Sequence, residues 1–399
     1  MMNFTITPHK LHGTIPSISS KSQAHRLLIC AAFSNTETTL YCKNTNADIE
    51  ATAGCLSSLG ANIQRRDDLY IITPIRQIPN EAQLHCRESG STLRFMLPIV
   101  GALGVDAVFH LEGRLGKRPL SPLWEEMEKM GCSLSKPTEN TIHCCGKLKA
   151  GTYTIDGSVS SQFITGLLFA TALLGKESCV NITGKIESLP YINMTLEALQ
   201  FFGITANHYC MPADAHFTTP ENLSVEGDWS NAAFFLCANA LGNQVEITGL
   251  NSSSAQGDKA VAEILSVISK NPMVDAADIP DLVPILAITG GALNGISFTN
   301  IRRLRLKESD RVATVCAMLK SLGAETETTE NTLIVYPANY QSCTIDSAGD
   351  HRIAMTAAIA ATVASGPVTI LGGQCVAKSY PEFWADYRKL GGHYEQHIW

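Results

Sequence analysis

The sequence is poor in charge and poorer still in aromatic residues. Of 399 residues, 17% are Asp, Glu, Lys or Arg and 7% are Phe, Trp or Tyr. Positive charge is not in excess, because 30 Lys+Arg stand against 37 Asp+Glu, giving a formal net charge of -7. A protein that coats polyanions needs a basic surface, so general nucleic-acid binding is not expected. Long apolar runs are missing as well. The uncharged stretch from Ile353 meets Gly366-Pro367 after thirteen residues, which fits a buried helix and its stop, and no membrane segment is expected. The opening Met-Met-Asn-Phe-Thr-Ile-Thr-Pro alternates like a strand and lacks the cationic and apolar regions of a secretory signal, which predicts a cytoplasmic chain. None of the thirteen cysteines forms a C-x-x-C pair, and His143-Cys144-Cys145 has no second pair at metal spacing, so all are expected as reduced, mostly buried thiols. There is no G-x-x-x-x-G-K-S/T loop, no G-x-G-x-x-G after a strand, no H-E-x-x-H and no acidic cluster that calls for a divalent ion. No metal, cofactor or magnesium nucleotide is therefore expected.

What remains is 45% hydrophobic, enough for large cores, and its length predicts two domains. The chain repeats itself. A helix-ending phrase recurs as Ser-Leu-Gly-Ala at 58–61, Lys-Met-Gly-Cys at 129–132, Phe-Phe-Gly-Ile at 201–204, Ser-Leu-Gly-Ala at 321–324 and Lys-Leu-Gly-Gly at 389–392. A fourth-unit counterpart starts from Asp258 and ends near Lys270-Asn271-Pro272 without glycine. Interleaved with it are turns rich in Ser, Gly or Asp, each followed by an almost wholly apolar helix. These start near Ser22, Gly90, Ser160, Trp229, Asp281 and His351, at gaps of 68, 70, 69, 52 and 70 residues. Helices apolar all round must be buried. Six α+β units in two cores of three are predicted, with the boundary at Val225-Glu226-Gly227-Asp228 and the fourth unit short. A single repeat solenoid is the alternative.

The first turns of these helices carry the polar residues, where free amides and the helix dipole favour an anion. Lys21, Ser22 and Arg26 open the first, with Ser22 and Arg26 on one face. Ser89-Gly90-Ser91-Thr92-Leu93-Arg94 opens the second and Ser160-Ser161-Gln162 the third. The second half supplies Asp278-Ile279-Pro280-Asp281, Lys307-Glu308-Ser309-Asp310-Arg311, Gly349-Asp350-His351-Arg352 and Lys378. If the run from Lys307 is helical, Lys307 and Arg311 share a face. Arg118 opens the helix of the second unit. Asp310 and Asp350 are expected as caps or ion-pair partners, and His25 and His351 as structural. The return of one cluster type at one point of successive units predicts an anionic ligand.

Taken in order, these segments, with Lys117-Arg118-Pro119-Leu120, Ser160-Ser161-Gln162-Phe163 and Ala377-Lys378-Ser379-Tyr380-Pro381, resemble the signatures of the 5-enolpyruvylshikimate-3-phosphate synthase family of enolpyruvyl transferases, from about residue 12 to 390. The resemblance implies an α/β fold of two domains, each of three βαβαββ units with the buried helices inside, an inside-out α/β barrel with pseudo-threefold repeats. It implies domains of 21–226 and of 1–20 with 227–399, an active site in the cleft between them, and a monomer. The implied reaction, a step of aromatic amino acid (chorismate) biosynthesis, transfers the enolpyruvyl group of phosphoenolpyruvate to the 5-hydroxyl of shikimate 3-phosphate by addition and elimination, releasing phosphate. Asp281 would be the base and Glu308 the acid, with Lys21 competing for part of the proton traffic. Lys21, Gly90, Arg118, Gln162, Arg311, Arg352 and Lys378 would surround phosphoenolpyruvate. Lys21, Ser22, Arg26, Ser160, Ser161, Gln162, Ser188, Asp281 and Lys307 would hold shikimate 3-phosphate, with Arg94 and Tyr191 in support.

Three positions depart from the family pattern. Ile18-Ser19-Ser20 replaces the usual Pro-Gly-Ser, Glu88 stands where Asn is common, and Arg303 stands where some members place a substrate-contacting Asn. A carboxylate at 88 should weaken anion binding unless it is paired or turned away. The rivals are the sister enzyme acting on UDP-N-acetylglucosamine, which carries a Cys where this chain has Gly113, and a non-catalytic anion-binding protein on the same repeat.

Overall fold

Six apolar helices organise the computed structural model, which describes residues 2–398. The chain divides into one unit of Ser19–Glu226 and another of Met1–Ile18 with Gly227–Trp399. In the first unit the buried helices are Lys21–Ala32, Gly90–Leu103 and Ser161–Leu173. In the second they are Trp229–Ala240, Val283–Gly291 and His351–Ala360. Each unit has its own apolar core, as expected when a helix has no polar face to offer water. No helix among the described residues is long and apolar enough to cross a membrane.

Five of the six helices begin with a side chain that accepts a backbone amide. Ser20 takes it from Gln23, Ser89 from Thr92, Ser160 from Gln162, Asp228 from Asn231 and Asp350 from Arg352, at 2.8 to 3.4 Å. Such a cap contributes about 1 kcal/mol. The Val283 helix has no side-chain cap, but Pro284 in its first turn has no amide to satisfy. At Gly166 an added Cβ would stand 2.2 Å from the Arg94 carbonyl oxygen, so glycine is what lets the Gly90 and Ser161 helices approach so closely.

The outer helices end as the repeated phrase predicts. Gly60, Gly131, Gly203, Gly323 and Gly391 all have positive φ, between 84° and 115°. Asn271 takes the left-handed conformation (φ 52°) in the one unit without glycine. Each unit has three separate sheets, and they do not close into a barrel among the described residues. Five of these sheets hold three or four strands around one parallel pair, and in four of them that pair flanks a buried helix, as Glu81–Arg87 and Asp106–Leu111 flank Gly90–Leu103. The sixth, His12–Pro16 beside Gln244–Thr248, has two strands only, which explains the short fourth repeat.

The chain passes twice between units, and within each unit strands distant in sequence pair with one another. The parallel partner of Thr38–Tyr41, the strand after the Lys21 helix, is Leu223–Ser224 at the far end of the same unit. The partner of Gln244–Thr248 is His12–Pro16. Met2–Thr7 lies between Val368–Leu371 and His393–Ile398 in the last sheet.

One expectation fails. Cys179 and Cys210 form a disulfide, because they lie opposite one another on adjacent antiparallel strands, a proximity that sequence spacing does not reveal. The other eleven cysteines are free.

Candidate active site

In the Ser19–Glu226 unit, hydrogen bonds tie the first turns of the three buried helices together. His25 Nδ1 is 2.7 Å from Thr52 Oγ1, which is 2.8 Å from Thr92 Oγ1, and Thr92 donates to Ser89 Oγ. Burial lowers the His25 imidazole to about 3, so it is neutral and structural, as expected. Arg26 is 2% exposed and donates to Thr195 Oγ1, Thr165 Oγ1, and the carbonyls of Ser22 and Tyr191. These bonds commit most of its guanidinium to joining helices. Arg94 Nη1 donates to Gln162 Oε1 at 3.0 Å, and Gln162 Nε2 donates to Ser91 Oγ at 2.9 Å. Gly90 lies beneath two arginines: an added Cβ would stand 2.5 Å from Arg118 Nη1 and 2.7 Å from Arg94 Nη1. Arg118 does not open a helix; it follows the 3-10 turn Leu115–Lys117, and the helix begins at Leu123.

Lys21 Nζ pairs with Asp48 Oδ2 at 2.9 Å, a partner the sequence pattern did not suggest. Ser160 serves as the cap described above, Ser161 is buried in the following turn, and Ser188 holds the left-handed conformation (φ 57°) ahead of the Leu189–Phe201 helix that carries Tyr191. Glu88 lies over Gly113, where a Cβ would stand 1.8 Å from Glu88 Oε1. The unusual carboxylate and the glycine at the sister enzyme's Cys position therefore occupy one space. Ser20, in the variant Ile18-Ser19-Ser20 segment, keeps its role as helix cap.

The other unit gathers its charges around Arg311. This side chain is 1% exposed. Nη1 donates to Asp281 Oδ1 at 2.6 Å, Nη2 to Glu308 Oε2 at 2.7 Å and Nε to Asp350 Oδ2 at 2.9 Å. Arg352 Nη2 meets Asp281 Oδ2 at 2.9 Å, and Lys307 Nζ is 3.6 Å from Asp281 Oδ1. Burial would raise the Asp281 carboxyl, but Arg352, Lys307 and Arg311 outweigh it and hold it well below the carboxylate range. Burial also draws the Lys307 ammonium down to about 8. Asp310 caps the Arg311–Ser321 helix through Ala313 N, so the conditional Lys307–Arg311 helical face does not form; Lys307 lies in extended backbone. Glu308 nevertheless reaches Arg311 from that link. Lys378 ends the 3-10 turn Gly373–Lys378, and Arg303 lies in the turn before Lys307, whose ammonium it helps to depress.

Asp258 was not among the sequence candidates. It is 1% exposed, and its Oδ2 accepts from Ser230 Oγ. Burial and then the negative charge of Asp281 push its carboxyl up to about 7. An acid in a turn before a helix reads as a cap, so no sequence signal marks it.

Paired acid and base candidates on one arginine, with more cations around them, suit the handling of an anionic substrate by proton transfer. Comparison with known proteins identifies the family. The sequence profile of EPSP synthase (3-phosphoshikimate 1-carboxyvinyltransferase) matches residues 6–387. The chain belongs to the EPSP synthase family. Among curated members, the 3-phosphoshikimate 1-carboxyvinyltransferase of Clostridium perfringens is 38% identical over 98% of this chain and 99% of that one. The enzyme of that name from Clostridium kluyveri is 36% identical over 99% of both chains. EPSP synthase of Acinetobacter baumannii shares the fold with a TM-score of 0.80 at 21% identity, covering both chains in full. The enolpyruvyl transferase NikO of Streptomyces tendae does so at 0.74 and 16%, over 99% of each chain. The protein is thus an enzyme of EPSP synthase type, with enolpyruvyl transfer in the shikimate pathway as its activity.

Proposed function

We propose that Asp281 takes the proton from the 5-hydroxyl of shikimate 3-phosphate while Glu308 protonates C3 of phosphoenolpyruvate. Protonation makes C2 electrophilic and the hydroxyl oxygen attacks it; the tetrahedral adduct then expels phosphate as C3 returns a proton to the Glu308 carboxylate, which restores the double bond. The observation that carries this assignment is the convergence of both carboxylates on Arg311, beside Arg352 and Lys307. Arg311 and Arg352 are suited to the planar carboxylate of phosphoenolpyruvate, and Lys378 to its phosphate. In the Ser19–Glu226 unit, Lys21, Ser22, Arg26, Ser160, Ser161, Gln162 and Ser188 are assigned to shikimate 3-phosphate. Lys21, Gly90, Arg118 and Gln162 serve phosphoenolpyruvate there, with Arg94 and Tyr191 supporting them. The groups of both units serve one reaction, and a cytoplasmic monomer suits diffusible substrates.

The experiment is phosphate release from phosphoenolpyruvate. It is expected only when shikimate 3-phosphate is supplied; release with UDP-N-acetylglucosamine, or with neither acceptor, would overturn the substrate assignment. Asp281→Ala should lose turnover far more than substrate affinity, whereas a raised KM alone would refute the base assignment.

A further inference from the structure

We infer that Asp281 and Glu308 hold the places on Arg311 and Arg352 that the anions of phosphoenolpyruvate take, and that the substrate frees them as base and acid by taking over these arginines. This rests on the proposed function above. Both oxygens of Asp281 are engaged, Oδ1 by Arg311 and Lys307 and Oδ2 by Arg352. A base must offer a lone pair to the hydroxyl it deprotonates, and an acid must carry a proton, which a carboxylate paired to arginine does not. These ion pairs therefore hold the catalytic groups without employing them.

Arg311 is built for such an exchange. Its Nε is anchored by Asp350, which is 0% exposed, accepts from Ser309 Oγ and caps the His351 helix. The two Nη groups form the fork that matches one carboxylate, yet here two different carboxylates share it. One substrate carboxylate on that fork would replace both at once. The charged groups facing Asp281 are Arg352, Lys307, Arg311, Glu308 and Asp258; Asp350 faces Arg311, His351 faces Asp350, and Arg303 faces Lys307. Carboxylates that lose cations and gain an anionic neighbour become more basic, so binding draws protons from solution.

The test uses phospholactate, which keeps the phosphate and carboxylate of phosphoenolpyruvate but has no double bond to react. Its Kd is measured calorimetrically at pH 8 with shikimate 3-phosphate present, in two buffers of different ionisation enthalpy. Wild type should take up protons on binding. Asp281→Asn should bind phospholactate about 5- to 30-fold more tightly, because no internal pair must break, and should take up fewer protons. Glu308→Gln should change in the same direction and carries the test if Asp281→Asn does not fold. Glu330→Gln, at an exposed carboxylate paired with Arg302, should change the Kd by less than about twofold. Unchanged or weaker binding in both exchange variants would overturn the inference, as would equal tightening in Glu330→Gln. Failure of wild type to bind phospholactate at all would overturn the functional assignment beneath it.

Discussion

The substitution Gly90→Ala should separate activity from stability. Gly90 opens a helix with negative φ, so alanine is conformationally welcome there and contributes up to about 1 kcal/mol of helix propensity. Its methyl, however, would stand 2.5 Å from Arg118 Nη1 and 2.7 Å from Arg94 Nη1, well inside van der Waals contact. Arg94 is 4% exposed and tied to Gln162, so Arg118, which is only half-buried, is the group that must yield. Displacing one guanidinium from an anionic ligand forfeits a charge-assisted hydrogen bond of about 1.5 to 3 kcal/mol, roughly a 10- to 150-fold loss in kcat/KM for phosphoenolpyruvate. The KM for shikimate 3-phosphate should change less, and the Tm should stay level or rise slightly. Steady-state phosphate release with phosphoenolpyruvate varied, alongside a thermal melt, measures both. A kcat/KM within twofold of wild type, or a loss that follows a falling Tm, would refute the steric argument.

Two further outcomes concern stability. Asp258 has a carboxyl pushed up to about 7, so its favourable contribution is complete below the unfolded pKa near 4 and is lost as pH rises through 7. Asp258→Asn should therefore be more stable than wild type at pH 8, by on the order of 3 to 4 kcal/mol, with the gap closing toward pH 4. Urea midpoints at pH 4, 6 and 8 would show this, and a gap independent of pH would refute it. At the repeated helix ends, Gly323→Ala (φ 91°) should cost about 1 to 2 kcal/mol, whereas Asn271→Gly should be neutral or slightly stabilising. Equal effects of the two in chemical denaturation would show that the helix-end conformation does not govern stability.

What was legible in the sequence is what local chemistry determines. The buried helices announce themselves by apolar runs behind Ser or Asp caps, and the outer ones by glycine at the turn; even the short fourth repeat appears as a gap of 52 residues. The error at Lys307–Arg311 was of the same local kind. Asp310 is a good N-cap, and a helix that starts behind it cannot contain Lys307. The convergence of Asp281 with Arg311 and Arg352 was not locally legible, since the residues lie 30 and 71 positions apart and only the packing of helix starts unites them. The Lys21–Asp48 pair, Asp258 and the Cys179–Cys210 bridge escaped for the same reason, being set by topology or strand register.

The strand Met2–Thr7 has a consequence for biosynthesis. Its partners, Val368–Leu371 and His393–Ile398, follow it in the chain by roughly 360 to 400 residues. At ribosomal rates of about 5 to 20 residues per second, Phe4 and Ile6 wait roughly 20 to 80 s without their sheet. The Ser19–Glu226 unit faces no such delay, because Leu223–Ser224 completes its first sheet before the second unit is half made. Its neighbour must keep a β-prone apolar segment from pairing elsewhere throughout translation. Any loss of His393–Ile398 would leave Met2–Thr7 exposed along one edge, a liability for aggregation that the ordered fold conceals.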